Sequence, residues 1–320
     1  MTLEAIGDRQ YDVAITTCGY ELRAGHVAKQ IKPVPAHFVL DYSCTGQHSY
    51  DKNRASYEKL AGAQFLDIND AKLRERLAQR LQIAFENAGE QGLSILVDVS
   101  SCSRRVMAAT FLALSDAAQT PCNLTIAYAL SVFEGAPEGE LPSSISEPVI
   151  GDLSGWSDDL SKPPCAVIGL GFEPGRALGS LDYLEVPEVR LFMPHGPDQR
   201  FDEAVRAANK LLIDEAGSDL VFPYNVMQPN ATYDKLHSLI LGLRAEFRPV
   251  LIPLGPKIFS AICIIIAIKF FPLVCVWRTS SGDHDVSGDK IPSGEVALFD
   301  IRFGGAMRLG QLRPSTPFSL

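Results

Sequence analysis

Short apolar runs alternate with amphipathic stretches along nearly the whole chain, up to about residue 303. Segment 11–17 (YDVAITT) is β-rich and mostly apolar, the pattern of a strand covered on both faces. Segments 36–42, 64–68, 93–99 and 124–130 are expected to be strands for the same reason. Between them, 24–31 predicts a helix stopped by Pro33, and 50–62 a helix ended by glycine. A longer helix reaches residue 88, with Asp70 as its cap and Leu73, Leu77, Leu81, Ala84 and Phe85 on one stripe. Residues 104–117 predict another. The stretch from 134 to 164 is rich in Gly, Pro, Ser and acids and reads as a linker, with room for an edge strand inside it.

The alternation then resumes. Strands are expected at 165–169, 189–193, 219–224, 250–252, 273–277 and 295–303. Helices are expected at 201–216 (Phe201, Val205, Ala208 and Leu212 inward), 233–247 (Leu236, Leu239, Ile240 and Leu243 inward) and 258–271. From residue 304 the pattern fades into an expected tail. Strands alternating with helices predict an α/β fold of two tandem Rossmann-like domains with mainly parallel sheets. The expected boundaries are 1–135, a linker at 136–163, 164–303, and a tail at 304–320.

Internal similarity points to duplication. Cys18-Gly19-Tyr20-Glu21-Leu22-Arg23-Ala24 is answered by Leu170-Gly171-Phe172-Glu173-Pro174-Gly175-Arg176-Ala177, one residue being inserted before the arginine. The stretch from Leu96 to Arg104 is answered by Val250 to Lys257, and both lead into apolar runs. Two landmarks in the same order, about 150 residues apart, imply whole duplicated domains rather than solenoid units.

The 320 residues and 46% hydrophobic content suffice for two cores. A net charge of −9 argues against broad coating of duplex nucleic acid or anionic lipid, yet leaves room for a small cationic pocket. The 7 cysteines are scattered, with no C-x-x-C and no zinc spacing, as in a reducing compartment. No secretory signal opens the chain, so a cytoplasmic protein is expected. The apolar stretch 258–277 is interrupted by Lys269 and Pro272. The piece before the lysine falls well short of the ~20 residues a bilayer needs, and reads as a buried helix.

Both repeated motifs fall at strand-to-helix turns, where open parallel sheets hold ligands. Glycines Gly19, Gly171 and Gly255 allow tight turns or close approach. Glu21 and Arg23, like Glu173 and Arg176, project from the first turn, where they could meet a ligand or simply pair with each other. Ser100, Ser101 and Ser103 stand at a helix start with Arg104 and Arg105 just inside, and Lys257 takes the same place in the second copy. Hydroxyls, free backbone N–H groups, a helix dipole and a cation make an anion cradle. Ser100 and Ser103 could equally be ordinary helix caps, and Arg105 a solvent-facing residue. Cys102 beside two arginines could be an activated thiol, though no histidine base can be assigned to it. His195 ends a strand and would reach the second crevice, or lie exposed on its loop. Gly169-Leu170-Gly171 with Gly175 departs from dinucleotide spacing, and Pro174 intrudes. Asp283-His284-Asp285 sits in a Gly/Ser-rich loop without a partner cluster, so no metal site is expected.

A first-strand turn with Thr16, Thr17 and Gly19, followed later by D-x-S-S-x-x-R or P-x-G-P-K before a helix, resembles the CARF domain layout. CARF domains are Rossmann-like sensors of cyclic oligonucleotides in antiphage systems. Arg104 and Lys257 match the basic residue at their fourth-strand turn; Ser100, Ser101 and Gly255 match its small residues. The usual glycine pair is replaced by Ser101-Cys102 in one copy, and prolines flank the turn in the other. The related SAVED domain fuses two such units in one chain. The resemblance implies a ligand-binding groove between the halves of a sensor that needs no cofactor and signals to a protein effector. Duplex nucleic acid and membrane are not expected partners. Two alternatives are a metal-independent ring-nuclease-like phosphodiesterase and a non-catalytic scaffold subunit.

Overall fold

The computed structural model describes residues 6–88, 92–135, 145–155, 159–280 and 288–304. In the first half the strands are β1 (Val13–Cys18), β2 (Ala36–Asp41), β3 (Ala63–Asp67), β4 (Ser94–Asp98) and β5 (Cys122–Ser131). Its helices are α1 (Tyr50–Tyr57), α2 (Leu73–Ala88) and α3 (Arg104–Ala117). The strand β6 (Ile145–Pro148) follows. The second half holds β7 (Pro164–Gly169), β8 (Glu188–His195), β9 (Val221–Asn225), β10 (Arg248–Pro253) and β11 (Cys275–Ser280). Its helices are α4 (Arg176–Leu184), α5 (Gln199–Ala208), α6 (Lys210–Ala216), α7 (Pro229–Leu243) and α8 (Lys257–Lys269), and β12 (Pro292–Phe303) comes last.

Two six-stranded sheets result, ordered β12-β5-β4-β1-β2-β3 and β6-β11-β10-β7-β8-β9. The central five strands of each are parallel and share one order, so the duplicated sequence gives a duplicated α/β sheet. In both sheets the order reverses between the first and fourth strands, β1 and β4 or β7 and β10. In open parallel sheets such a reversal is where ligands bind, beyond the carboxyl ends of the strands.

The edge strands are exchanged. The alternation places 295–303 in the second domain, but β12 runs antiparallel to β5, with Phe303 opposite Cys122 and Val296 opposite Ala129. Conversely β6, from the expected linker, runs antiparallel to β11, with Ile145 opposite Ser280. Apolar alternation identifies a strand but not its partner. Here β12 is apolar on both faces: Val296 and Leu298 pack with Ile6, Val27 and Leu96, while Ala297, Phe299 and Phe303 join the main core. That core is continuous across both halves, because α3 and α8 pack against each other. Helix α8 is buried all round from Ile258 to Ile268, as its isoleucine run requires. Among the described residues no helix is long and apolar enough to cross a membrane.

Three local expectations are corrected. The helix at 24–31 is a 3-10 turn, Leu22–Gly25, because Glu21 spends its carboxylate on Arg23 instead of capping. The helix at 201–216 breaks at Asn209, whose side-chain amide donates to the Gly171 and Val205 carbonyls at 2.7 and 2.8 Å. Helix α7 begins earlier than expected, with Pro229 in its first turn, where a missing N–H is harmless. Helix α4 has no counterpart in the expected elements. Asp283-His284-Asp285 and all but the first residue of the expected tail lie outside the described residues.

Candidate functional site

The carboxyl-end turns of the two sheets meet, and the basic residues cross between them. Arg104, at the start of α3 in the first half, donates from Nη2 to the Leu254 carbonyl of the second half at 3.0 Å, with the Gly255 carbonyl at 3.5 Å. Lys257, at the start of α8, reaches back to Glu21 of the first half, Nζ to Oε1 3.7 Å. The duplicated positions are thus brought together.

The first-half turn is polar and buried. Arg23 is held by Glu21 at 2.6 Å and donates to the Tyr128 hydroxyl (3.4 Å) and the Ala129 carbonyl (3.1 Å). Burial alone would lower the Arg23 pKa, but Glu21 outweighs it and the guanidinium stays charged. Burial likewise works to raise Glu21, yet Lys257 and Arg23 hold its carboxyl below the usual range. Of the two readings of this pair, ion pairing within the turn is therefore realised. Asn53 straps the turn by donating to the Gly19 and Glu21 carbonyls at 2.9 and 2.8 Å. Thr17 is buried at the end of β1. Lys257 keeps 24% of its side-chain surface open. Burial lowers its pKa and Glu21 opposes the drop.

The serines divide. Ser103 caps α3, its hydroxyl accepting from the Val106 N–H at 3.3 Å. Ser100 is fully buried; its hydroxyl donates to Asp98 at 2.5 Å and accepts from the Ala129 N–H at 2.7 Å. Ser101 lies against Gly19, where an added Cβ would stand 3.0 Å from the serine hydroxyl. Cys102 is only 3% exposed, and burial pushes its thiol up to about 12 against a smaller pull from Lys257. The activated-thiol expectation is thus corrected. Desolvation wins over the nearby cations.

The second-half turn is apolar and locked. A Cβ at Gly169 would meet the Phe259 ring at 2.4 Å, and one at Gly255 the Leu170 carbonyl at 2.3 Å. At Gly171 it would meet Glu173 at 2.6 Å and the Leu254 carbonyl at 2.9 Å. Ile168, Leu170, Ile252 and Leu254 fill the space around it. Arg176 is buried, with Glu173 at 3.9 Å. His195 is turned toward Asp202, Nδ1 to Oδ2 2.8 Å, with 38% of its side chain exposed on the rim.

The exchanged segments flank the junction. Asp289 accepts from the Leu22 N–H at 2.5 Å and the Ser49 hydroxyl at 2.6 Å. The Lys290 carbonyl accepts from the Arg23 N–H at 3.1 Å. Next to them, where the Val132 N–H donates to the Ile291 carbonyl at 2.9 Å, Phe133 stacks edge-on against Phe201, beneath the Arg200 guanidinium. Asp98, Asn53, Phe259 and Asp289 were not among the expected site residues. Of these only Asp98, a carboxylate closing an apolar strand, carried a readable signal. Among the described residues no group of His, Cys, Asp and Glu could hold a metal ion.

The fold defines the class, a tandem Rossmann-like α/β protein with exchanged edge strands. No protein-family model and no curated protein matches the chain. Among solved structures, Haemonchus contortus phosphoethanolamine N-methyltransferase 1, in complex with phosphoethanolamine and S-adenosylhomocysteine, is similar at 10% identity. That match covers 86% of this chain and 76% of that one, with a TM-score of 0.25.

Proposed function

We propose that this is a cytoplasmic sensor that binds a phosphate-bearing ligand, a nucleotide or cyclic oligonucleotide, between its two halves and signals to an effector protein. The observation that carries the reading is the crossing of Arg104 and Lys257 at the junction of the carboxyl-end turns. Two cations at helix starts, one from each half, suit an anion whose binding would bias how the halves sit together. The resemblance to CARF and SAVED units supports an antiphage setting. No step in this function requires catalysis. The scaffold alternative is favoured by a different observation: Arg104 already has carbonyl partners and so clasps the halves without any ligand.

Isothermal titration against a panel of nucleotides and cyclic oligonucleotides separates the two. A sensor binds at least one member and weakens roughly 10- to 100-fold with Lys257→Ala, the scale of one charged hydrogen bond. Absence of heat across the panel, or Lys257→Ala and Arg104→Ala both binding like the parent protein, leaves the scaffold.

A further inference from the structure

We infer that the binding site is one-sided: only the first half's crevice takes the ligand, with Asp98 and Ser101 receiving its ribose hydroxyls and Lys257 its phosphate, one ligand per chain. This rests on the sensor reading above and narrows it.

The two crevices share a position in the fold and differ in chemistry. In the second, backbone presses on backbone at Gly255 and Leu170, the Phe259 ring covers Gly169, aliphatic side chains pack around the turn, and Asn209 and Arg176 are engaged with the Gly171 carbonyl and Glu173. The carbonyls of Leu254 and Gly255 are taken by Arg104. A ligand there would have to displace packed backbone and core side chains.

The first crevice holds polar atoms that the protein leaves unsatisfied. Asp98 is 3% exposed; its Oδ1 accepts from both the N–H and the hydroxyl of Ser100, while Oδ2 has no hydrogen-bond partner. The Ser101 hydroxyl is buried and likewise unpartnered. The Thr17 hydroxyl is buried as well, near the Cys102 thiol, a poor partner. Buried polar atoms are nearly always satisfied, so a group of them at a ligand crevice points to a ligand. Asp98 accepts, and the hydroxyls donate or accept, which matches vicinal hydroxyls of a sugar. Lys257 reaches Glu21 on the same turn whose Gly19 packs against Ser101. Its contact with Glu21, at 3.7 Å, is longer than a hydrogen bond, so its N–H donors remain available to a phosphate.

The test is isothermal titration of the full chain with AMP, ATP and cyclic di-AMP, each beside its 2′-deoxy counterpart. One ligand per chain is expected, with the ribo form bound roughly 10-fold or more tighter. Asp98→Asn and, separately, Ser101→Ala should reduce that preference without lowering the melting temperature. No binding by any of the six compounds overturns both this inference and the sensor reading. Binding of two ligands per chain overturns this inference alone, as does equal affinity for ribo and deoxy forms, or a preference unchanged in both variants.

Discussion

Replacing Asp98 by asparagine should stabilise the protein above pH 6 and have little effect near pH 4. Burial pushes the Asp98 carboxyl from 3.8 up to about 6, although the Ser100 hydroxyl and N–H, Arg23 and Lys257 all pull it back. A raised carboxylate pKa means that the folded state holds a proton more tightly than the unfolded chain does. Stability therefore falls as pH rises from about 4 through about 6, and the deficit persists above that. That displacement, from 3.8 to about 6, corresponds to about 3 kcal/mol, a large share of a typical folding free energy. Asparagine keeps the shape and can still accept from Ser100, without a charge to desolvate. His37 acts oppositely in the same window. Burial lowers its ring to about 4, so its contribution is present above 6.5 and lost as pH falls toward 4. Glu21, held below its usual value, matters only below about pH 4.5. The informative quantity is thus the difference between parent and Asp98→Asn, which cancels these other groups. Urea titrations at half-unit steps from pH 4.5 to 7.5 should show the difference growing to about 3 kcal/mol. A difference that stays constant with pH would refute the argument that Asp98 is buried with too little compensation.

Ending the chain at residue 287 removes β12 and uncovers Leu96, Ala127 and Ala129. At about 1.5–3 kcal/mol for each of Val296, Leu298, Phe299 and Phe303, the loss rivals total stability. Thermal unfolding followed by circular dichroism should lose its cooperative transition, and a truncated chain melting like the full one would contradict the exchange of strands. Gly169→Ala should cost about 1–3 kcal/mol by driving a methyl into the Phe259 ring, and Phe259→Leu should relieve it. Strictly additive effects on the melting temperature would count against that contact. Cys102 should resist iodoacetamide at pH 8 until urea unfolds the chain; native-state labelling seen by mass spectrometry would show that the thiol is not buried.

Most of the strands and the duplicated turns were legible because burial on both faces writes itself as uninterrupted apolar runs, as in β4 and α8. The placement of Arg104 and Lys257 at the starts of α3 and α8 was legible too, since each follows a strand and a small-residue turn and opens an apolar run. What stayed hidden depends on partners distant in the chain. Nothing in the alternation of β12 says that its ladder lies with β5. Nothing in Asn209 announces that its amide will seek the Gly171 carbonyl and break a helix. The likeness of the two turns also misled, since matching spacing concealed opposite polarity: Asp98 and Ser101 on one side, Ile252 and Leu254 on the other.

A plaited chain of this kind has no clam-shell hinge. Drawing the halves apart would strip β12 from β5 and β6 from β11 together, and tear open a core that neither half could close alone. The two halves are therefore held in register by α3 against α8, and the returning segment is pinned where Ile291 and Lys290 meet Val132 and Glu134.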